Sequence, residues 1–220
     1  MATIAVVTIK RFASAKQRLR DDASVPGLRP ALAESMMCDV LIALRRSLRI
    51  DEVLVVTGEP RAAPLAVSYG AAAVIHDEHD AGHVEAALLG IKAAVERGAA
   101  RVLLLPGDCP LLDPSEVDEL LAQRANGAEV VVIPDRDGSG TNGLLLHPPD
   151  VIAPAFGEGS RERHLALARS ANAPARVAAL PSLGLDIDRA DDFEALRDLL
   201  ARRRGQAAMT RGLLAQAGRL

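Results

Sequence analysis

Short apolar runs alternate with helical patterns along the first half of the chain, and this alternation restricts the fold more than any other feature. Strands are predicted over residues 4–9 and 51–57, separated by a helix over residues 30–48 whose apolar positions recur at helical spacing. A short helix over residues 62–69 and a strand over residues 72–75 follow. Strands joined by such helices require right-handed crossovers. The sequence therefore predicts an α/β fold with a mainly parallel sheet.

The segment RVLLLPGDCPLLD, residues 101–113, places a carboxylate directly after a buried strand. Four apolar residues, 102–105, form the predicted strand, and Pro106-Gly107 ends it because proline lacks a ladder donor. Asp108 then lies at the carboxyl end of the strand, where ligands bind in open α/β sheets. A carboxylate there suits a divalent cation, although Asp is also common in turns that contain Pro or Gly. This segment alone leaves both interpretations open.

A basic loop, KRFASAKQRLR over residues 10–20, follows the first predicted strand. It presents Lys10, Lys16 and Arg18 at the same edge of the sheet as Asp108. Cations at that edge suit a polyphosphate, which needs positive charge along its oxygens. This loop contains neither GxGxxG nor GxxxxGK[ST], so it is neither a dinucleotide fingerprint nor a P-loop. The alternative is a solvated basic turn.

Two later segments are rich in glycine and hydroxyl groups. The first, PDRDGSGTNGLLL, follows a predicted strand over residues 130–133, and its Gly138, Gly140 and Gly143 permit close backbone approach to a ligand. A plain hairpin is the alternative for this segment. The second, FGEGS at residues 156–160, precedes a helical pattern over residues 161–170. The backbone N–H groups at that helix start predict an anion pocket for a phosphate or a carboxylate.

An acidic segment near the carboxyl end, LDID at residues 185–188, is predicted to be a short strand before a helix over residues 189–200. Alternation would place Asp186 and Asp188 on one side of that strand. Two carboxylates on one face repel each other unless a cation lies beside them. These residues are therefore a second candidate set of metal ligands.

Three histidines, His76, His79 and His83, lie close together before a helix predicted over residues 84–97. Their spacing would suit one helical face, but Gly82 and the neighbouring acidic residues favour a loop. A loop that leads into a helix, with its amino-terminal end at the ligand edge, is preferred to a structural metal site.

The composition narrows the function and the location. A net charge of -3 and 2% aromatic residues do not favour nucleic-acid binding. The two cysteines match no metal-binding spacing, and no leader or membrane-spanning run is evident, so we expect a cytoplasmic protein that contacts no membrane. We expect one domain over residues 1–200, with residues 201–220 as a surface helix or tail.

Together these segments resemble the CofC/FbiD family of guanylyltransferases, which act in the biosynthesis of coenzyme F420. The matching segments are TIKRFASAKQRL, LLPGDCPLL, PDRDGSGTNGLLL, FGEGSRERH and LDIDRADD, in that order from residue 4 to about residue 199. The resemblance implies a three-layer α/β/α fold of the nucleotide-diphospho-sugar transferase type, with a mixed, mostly parallel sheet. It also implies transfer of GMP from GTP to phosphoenolpyruvate, 2-phospho-L-lactate or 3-phosphoglycerate, with release of pyrophosphate.

The resemblance assigns roles to the candidate residues already described. It implies Mg²⁺ ligands, which would be Asp108, Asp186 and Asp188. It implies residues that hold the phosphorylated acid, which would be Thr141, Gly157 and Ser160. It implies catalytic residues along the triphosphate, which would be Lys10, Lys16 and Arg18, together with Asp108 at the metal.

The chain departs from the family pattern in two places. Family members often read PVK where this chain has residues 8–10, TIK, and GLNAAL where it has GHVEAAL at residues 82–88. The asparagine of GLNAAL has no counterpart in this chain, and the loss of its amide leaves selectivity for guanine open. Phosphoenolpyruvate is preferred as acceptor because the arginine-rich composition suits a bacterial source. Another nucleotidyltransferase, of the cytidylyl or molybdopterin type, and a non-catalytic nucleotide-binding subunit remain alternatives, and homodimerisation stays open.

Overall fold

The computed structural model describes residues 2–12, 27–80, 82–123, 127–202 and 205–220. Two of the predicted triphosphate contacts, Lys16 and Arg18, lie outside the described residues. In the described part of the chain, no helix is both long and apolar enough to cross a membrane.

The described residues form a sheet with helices on both faces. The strands are β1 (Thr3–Ile9), β2 (Glu52–Thr57), β3 (Ala73–His76), β4 (Arg101–Pro106), β5 (Glu129–Pro134), β6 (Thr141–His147) and β7 (Ala175–Val177). The helices are α1 (Arg29–Arg46), α2 (Ala62–Ser68), α3 (His83–Glu96), α4 (Pro114–Ala122), α5 (Ser160–Ser170), α6 (Ala190–Arg202) and α7 (Ala208–Gln216). The elements predicted between residues 4 and 75 are confirmed to within two residues at each end.

The sheet has the strand order β3-β2-β1-β4-β6-β5-β7. Strand β6 is antiparallel to its neighbours β4 and β5, and all other pairs are parallel. The predicted mixed, mostly parallel sheet is therefore confirmed. Because β6 runs in the opposite direction, its first residues lie at the same edge as the carboxyl ends of β1, β4 and β5.

Alternation along the central strands divides the core into two apolar layers. On one face, Val7 and Leu105 pack with Leu41 of α1 in a cluster that also includes α2 and α4. On the opposite face, residues such as Val6 pack with Ile91 of α3 in a cluster that also includes α5. This arrangement is the expected three-layer α/β/α architecture.

A third apolar cluster joins α6 and α7 to α1. It contains Phe193 of α6 and Leu214 of α7, both fully buried. The carboxylate of Asp39 in α1 accepts hydrogen bonds from the backbone N–H groups of Met209 and Thr210, at 2.9 and 2.8 Å. Helix α7 is thus held at its first turn as well as along its apolar side. The division of the chain at residue 200 stays a prediction.

The strand predicted over residues 185–188 is wrong, because this segment pairs with no strand of the described sheet. Its alternation is nevertheless real: Leu185 and Ile187 are buried against α6 and α7, whereas Asp186 and Asp188 are half-buried. The segment contacts the start of β6 through a hydrogen bond from Asn142 to Asp186, and β6 already pairs with β4 and β5 on its two sides. Side-chain packing therefore holds it in place of a backbone ladder.

Helix α3 lies close to the sheet because Gly90 has no side chain. A Cβ at Gly90 would overlap Cγ1 of Val6 and lie 3.1 Å from Cγ2 of Val56. The close packing of α3 on the sheet helps to place His83, the first residue of α3, at the edge formed by the carboxyl ends of the parallel strands. Gly212 in α7 is a matched helical glycine, since a Cβ there would meet no atom within 4 Å.

We expect Gly90→Ala to lower the free energy of unfolding by about 1–3 kcal/mol, because the added methyl group overpacks the contact between helix and sheet. Gly212→Ala should instead raise it by up to about 1 kcal/mol, since alanine favours the helix and finds open space. Urea unfolding followed by circular dichroism measures both. Equal stability of the two variants would contradict the proposed close packing of α3.

Candidate active site

Two candidate residues follow neighbouring parallel strands. Lys10 comes directly after β1, and Asp108 comes two residues after the end of β4. The turn after β4 is held by a hydrogen bond from the backbone N–H of Gly107 to the carbonyl oxygen of Thr8, at 3.2 Å. The structure thus places an ammonium group and a carboxylate at the same edge of the sheet, and their catalytic roles stay predictions.

The carboxylate of Asp186 is affected by two other carboxylates at this edge. The pKa of Asp186 is raised above its usual value, mainly by burial and then by the negative charges of Asp108 and Asp188. The Oδ1 atom of Asp108 is itself shielded from solvent. Like charges interact in this way only at short range or in poorly solvated surroundings. The carboxylates predicted as metal ligands therefore share one region of the protein.

The donor chemistry of this region fits a hard cation such as Mg²⁺, which prefers carboxylate oxygens. A cation would also relieve the repulsion between Asp108 and Asp186. Among the residues that the structure describes, however, no three histidine, cysteine or acidic side chains form a metal-binding cluster. Assignment of Asp108, Asp186 and Asp188 as Mg²⁺ ligands therefore stays a prediction.

Asn142, the second residue of β6, connects the sheet to the acidic segment. Its amide nitrogen donates to the carbonyl oxygen of Leu183 at 2.9 Å and to Oδ1 of Asp186 at 3.2 Å. The second of these hydrogen bonds lowers the pKa of Asp186 and so opposes the effect of burial. Asn142 therefore orients one candidate metal ligand and stabilises its charged form.

The three residues predicted to hold the phosphorylated acid lie together. The hydroxyl groups of Ser160 and Thr141 are buried and hydrogen-bonded to each other at 3.1 Å. The carbonyl oxygen of Gly157 accepts the backbone N–H of Ser160 at 3.0 Å. Gly157 has a φ of +112°, a conformation that favours glycine and shapes this turn. The structure thus joins the start of β6 to the start of α5.

The backbone N–H groups at the start of α5 are predicted to bind an anion. This prediction is wrong for the first two of them, because both donate to carbonyl oxygens of the protein. The N–H of Ser160 is used by Gly157, and the N–H of Arg161 donates to the carbonyl oxygen of Ser139 at 3.3 Å. The Arg161 guanidinium donates to the carbonyl oxygen of Gly138 at 2.7 Å. These contacts connect α5 to the β5–β6 turn, so the hydroxyl groups are the better candidates for ligand donors.

The predicted close approach of a ligand at the glycines of residues 138–143 is not supported. Strands β5 and β6 form an antiparallel hairpin across these residues, which was the alternative interpretation. A Cβ at Gly143 would lie 2.7 Å from both Ile133 and Leu183, so this glycine makes room for core side chains. Gly140 packs against the carboxylate of Asp135, which accepts its backbone N–H at 3.0 Å.

Stacked aromatic rings lie near Lys10 and Asp108 at this edge of the sheet. The rings of His83 and Phe156 are parallel, with centroids 4.2 Å apart, and Phe156 meets His164 edge-on at 5.3 Å. The pKa of His83 is lowered to about 4, mainly by burial and then by the positive charge of Lys10, while the negative charge of Asp108 opposes the shift. His83 is therefore a neutral ring near both charged groups, and among the described residues it belongs to no cluster of three potential metal ligands.

Sequence reasoning assigned no role to Phe156 or His164. One signal was available for His164, because it follows Ser160 by four residues and such pairs share a helix face. No comparable pattern identifies Phe156, since its stacking partner His83 is distant in sequence.

The comparisons with known proteins agree with this geometry. The family model described as "Guanylyl transferase CofC like" matches residues 3–210. Phosphoenolpyruvate guanylyltransferase of Conexibacter woesei is 48% identical over 217 residues, which cover 98% of this chain and 96% of that protein. Its namesake in Sphaerobacter thermophilus is 38% identical over 196 residues, covering 89% of this chain and 93% of that protein.

A crystal structure from Desulfovibrio desulfuricans G20, described provisionally as a nucleotide-diphospho-sugar transferase, superposes with a TM-score of 0.75. The alignment covers 99% of this chain and 96% of that one at 17% identity. At this identity the likeness shows the fold alone, and it confirms the expected nucleotide-diphospho-sugar transferase-like architecture.

We expect Asn142→Ala to lower the free energy of unfolding by about 1–3 kcal/mol, because a buried carbonyl and Asp186 both lose their donor. Gln123→Ala, which removes an exposed amide at the end of α4, is the control and should change it by less than about 0.5 kcal/mol. Urea unfolding of both variants measures the difference. Equal stability of the two variants would argue against the bridging role of Asn142.

Proposed function

The chain belongs to the CofC-like guanylyl transferase family, and we propose that it transfers GMP from GTP to phosphoenolpyruvate in coenzyme F420 biosynthesis. The products would be enolpyruvyl-diphospho-5'-guanosine and pyrophosphate. The observation that carries the choice of acceptor is the 48% identity, over nearly the whole chain, to a phosphoenolpyruvate guanylyltransferase. A cytoplasmic location and a homodimeric state stay predictions.

The acceptor acid would bind at Thr141, Gly157 and Ser160. Phosphoenolpyruvate carries a phosphate beside a carboxylate, so it offers only hydrogen-bond acceptors at neutral pH. Thr141 and Ser160 offer buried hydroxyl groups, and Gly157 lets the backbone pass close to a ligand. Hydroxyl donors in a poorly solvated site bind anionic oxygens more strongly than they do in water.

The triphosphate of GTP would lie along the basic residues after β1. Lys10 is exposed at the edge and lies near enough to His83 to lower its pKa. Its ammonium group would stabilise the charge that develops on the leaving pyrophosphate. Lys16 and Arg18 belong to the same proposal on the evidence of the sequence, because a polyphosphate requires several cations.

The cofactor in this proposal is Mg²⁺, held by Asp108, Asp186 and Asp188. A bound Mg²⁺ would neutralise phosphate charge and allow donor and acceptor to approach each other. Asn142 would keep Asp186 ionised and oriented through the hydrogen bond at 3.2 Å. In this proposal the three carboxylates would be the ligands, and Asn142 would hold one of them in place.

The reaction needs no nucleophile from the protein. A phosphate oxygen of the acceptor attacks the α-phosphorus of GTP, and the bond from that phosphorus to the pyrophosphate oxygen breaks. Electrostatic repulsion and alignment set the barrier, so positioning and charge neutralisation are what the protein must provide. The absence of a general base from the proposed set is consistent with this chemistry.

The proposal is tested by offering the purified protein each nucleoside triphosphate with each acceptor in the presence of Mg²⁺. The acceptors are phosphoenolpyruvate, 2-phospho-L-lactate and 3-phospho-D-glycerate, and mass spectrometry identifies the product. The expected result is enolpyruvyl-diphospho-5'-guanosine from GTP and phosphoenolpyruvate. Faster transfer to another acceptor, or from CTP, would replace the proposed substrates.

We expect Asp108→Asn to lower kcat by about two orders of magnitude or more, because the amide holds a cation poorly where a carboxylate is required. The control is Asp150→Asn, an exposed carboxylate beyond the opposite end of β6, which should leave kcat within about twofold of the wild type. Pyrophosphate release measures both. A non-catalytic nucleotide-binding subunit would instead show no transfer in the wild type and no effect of Asp108→Asn on GTP binding.

A further inference from the structure

The buried imidazole of His164 in α5 makes two hydrogen bonds of fixed direction. Its Nε2 atom lies 2.8 Å from the backbone nitrogen of Ala155, and its Nδ1 atom lies 3.1 Å from Oγ1 of Thr141. A backbone N–H can only donate, so Nε2 must be the acceptor in the first contact. The Nε2 atom therefore carries no proton.

The imidazole ring of His164 is neutral at neutral pH. Burial, with a smaller effect of the positive charge of Arg163, lowers the pKa of His164 to about 4. A neutral imidazole carries a single proton, and Nε2 does not hold it, so Nδ1 does. His164 therefore donates its Nδ1–H to the hydroxyl oxygen of Thr141.

This donation determines what the neighbouring hydroxyl groups can do. Thr141 and Ser160 share one hydrogen bond at 3.1 Å, which uses one of their two hydroxyl protons in whichever direction it runs. Thr141 cannot donate its proton to His164, because Nδ1 already carries one. Within the described part of the chain, no other hydrogen bond uses the second proton. The pair therefore presents one O–H donor to a ligand.

We propose that His164 is a positioning residue that holds the Thr141–Ser160 hydroxyl pair as a donor toward an anionic oxygen of the acceptor acid. This inference rests on the proposed function, because it concerns the acid-binding part of the same site. With the opposite tautomer, Thr141 would donate to the ring and the pair would lose its outward donor. The imidazole thus sets the direction of the whole hydrogen-bond chain.

The same ring also holds the turn that contains Gly157. Its Nε2 atom accepts the N–H of Ala155, and the ring makes a T-shaped contact with Phe156, the residue before Gly157. One imidazole therefore connects the hydroxyl pair to the backbone of the proposed acid site. Its two nitrogen atoms have separate tasks, and separate substitutions can remove them.

The amides of asparagine and glutamine imitate different ring nitrogens. The amide nitrogen of His164→Asn can replace Nδ1 as donor to Thr141, whereas the amide oxygen of His164→Gln can replace only Nε2 as acceptor for Ala155. We expect His164→Gln to raise the KM for phosphoenolpyruvate about tenfold or more, with the KM for GTP within twofold. His164→Asn should raise the KM for phosphoenolpyruvate much less than His164→Gln does. His147→Gln, at the far end of β6, is the matched control and should behave as the wild type.

A double variant tests whether His164 acts through Thr141. Thr141→Val removes the hydroxyl, so adding His164→Gln to it should raise the KM for phosphoenolpyruvate by less than about twofold more. A purely structural role predicts a full additional loss and equal changes in the KM of both substrates. Either result would overturn the inference, as would a larger loss in His164→Asn than in His164→Gln.

Direct binding separates this inference from the proposed function. Calorimetry of phosphoenolpyruvate with each variant in the presence of GTP requires no turnover. If the wild type binds phosphoenolpyruvate but forms no product, the proposed function fails, and the order of the variants in affinity still decides the role of His164. If the wild type binds no phosphoenolpyruvate, both proposals fail.

Discussion

Repulsion between carboxylates at one edge of the sheet is the constraint on which the site depends. Asp108 is fixed by the turn after β4, while Asp186 is fixed by the packing of its neighbours against α6 and α7. Folding therefore brings like charges into a poorly solvated region, and the raised pKa of Asp186 records the cost. Asn142 offsets part of it through one hydrogen bond. A cation would offset the rest, which is the physical basis for expecting a metal-dependent phosphoryl transfer.

On the opposite side of the site, a buried hydrogen-bond chain consists of neutral groups. His164 is uncharged, Thr141 and Ser160 are hydroxyl residues, and all three are buried in one hydrogen-bond chain. A neutral donor network can orient an anionic acid without binding it as strongly as a cluster of arginines would. In the proposed site a weaker hold on the acceptor would favour release of the product, and the charged groups would bind the triphosphate and the metal.

Much of this arrangement is predictable from the sequence, because it depends on local pattern. Apolar periodicity predicts β1 to β3 and the helices between them, and the Pro-Gly turn predicts the position of Asp108. Alternation over residues 185–188 predicts a strand because it shows which side chains are buried. Alternation cannot show whether a neighbouring strand is free to pair.

The role of His164 depends on tertiary contacts in the same way. Its spacing from Ser160 is visible in the sequence, but its tautomer is determined by the N–H of Ala155, whose position only the folded turn provides. The backbone donors at the start of α5 were likewise predicted to bind an anion. The carbonyl oxygen of Ser139 occupies one of them instead, through a turn that is distant in sequence.

If carboxylates from two distant segments hold a single cation, then binding of Mn²⁺ in the presence of GTP must depend on both segments. Electron paramagnetic resonance measures the affinity for the wild type and for Asp186→Asn. A shared site predicts that Asp186→Asn weakens Mn²⁺ binding by about tenfold or more, because one oxygen ligand loses its charge. Unchanged affinity and stoichiometry in Asp186→Asn would contradict it.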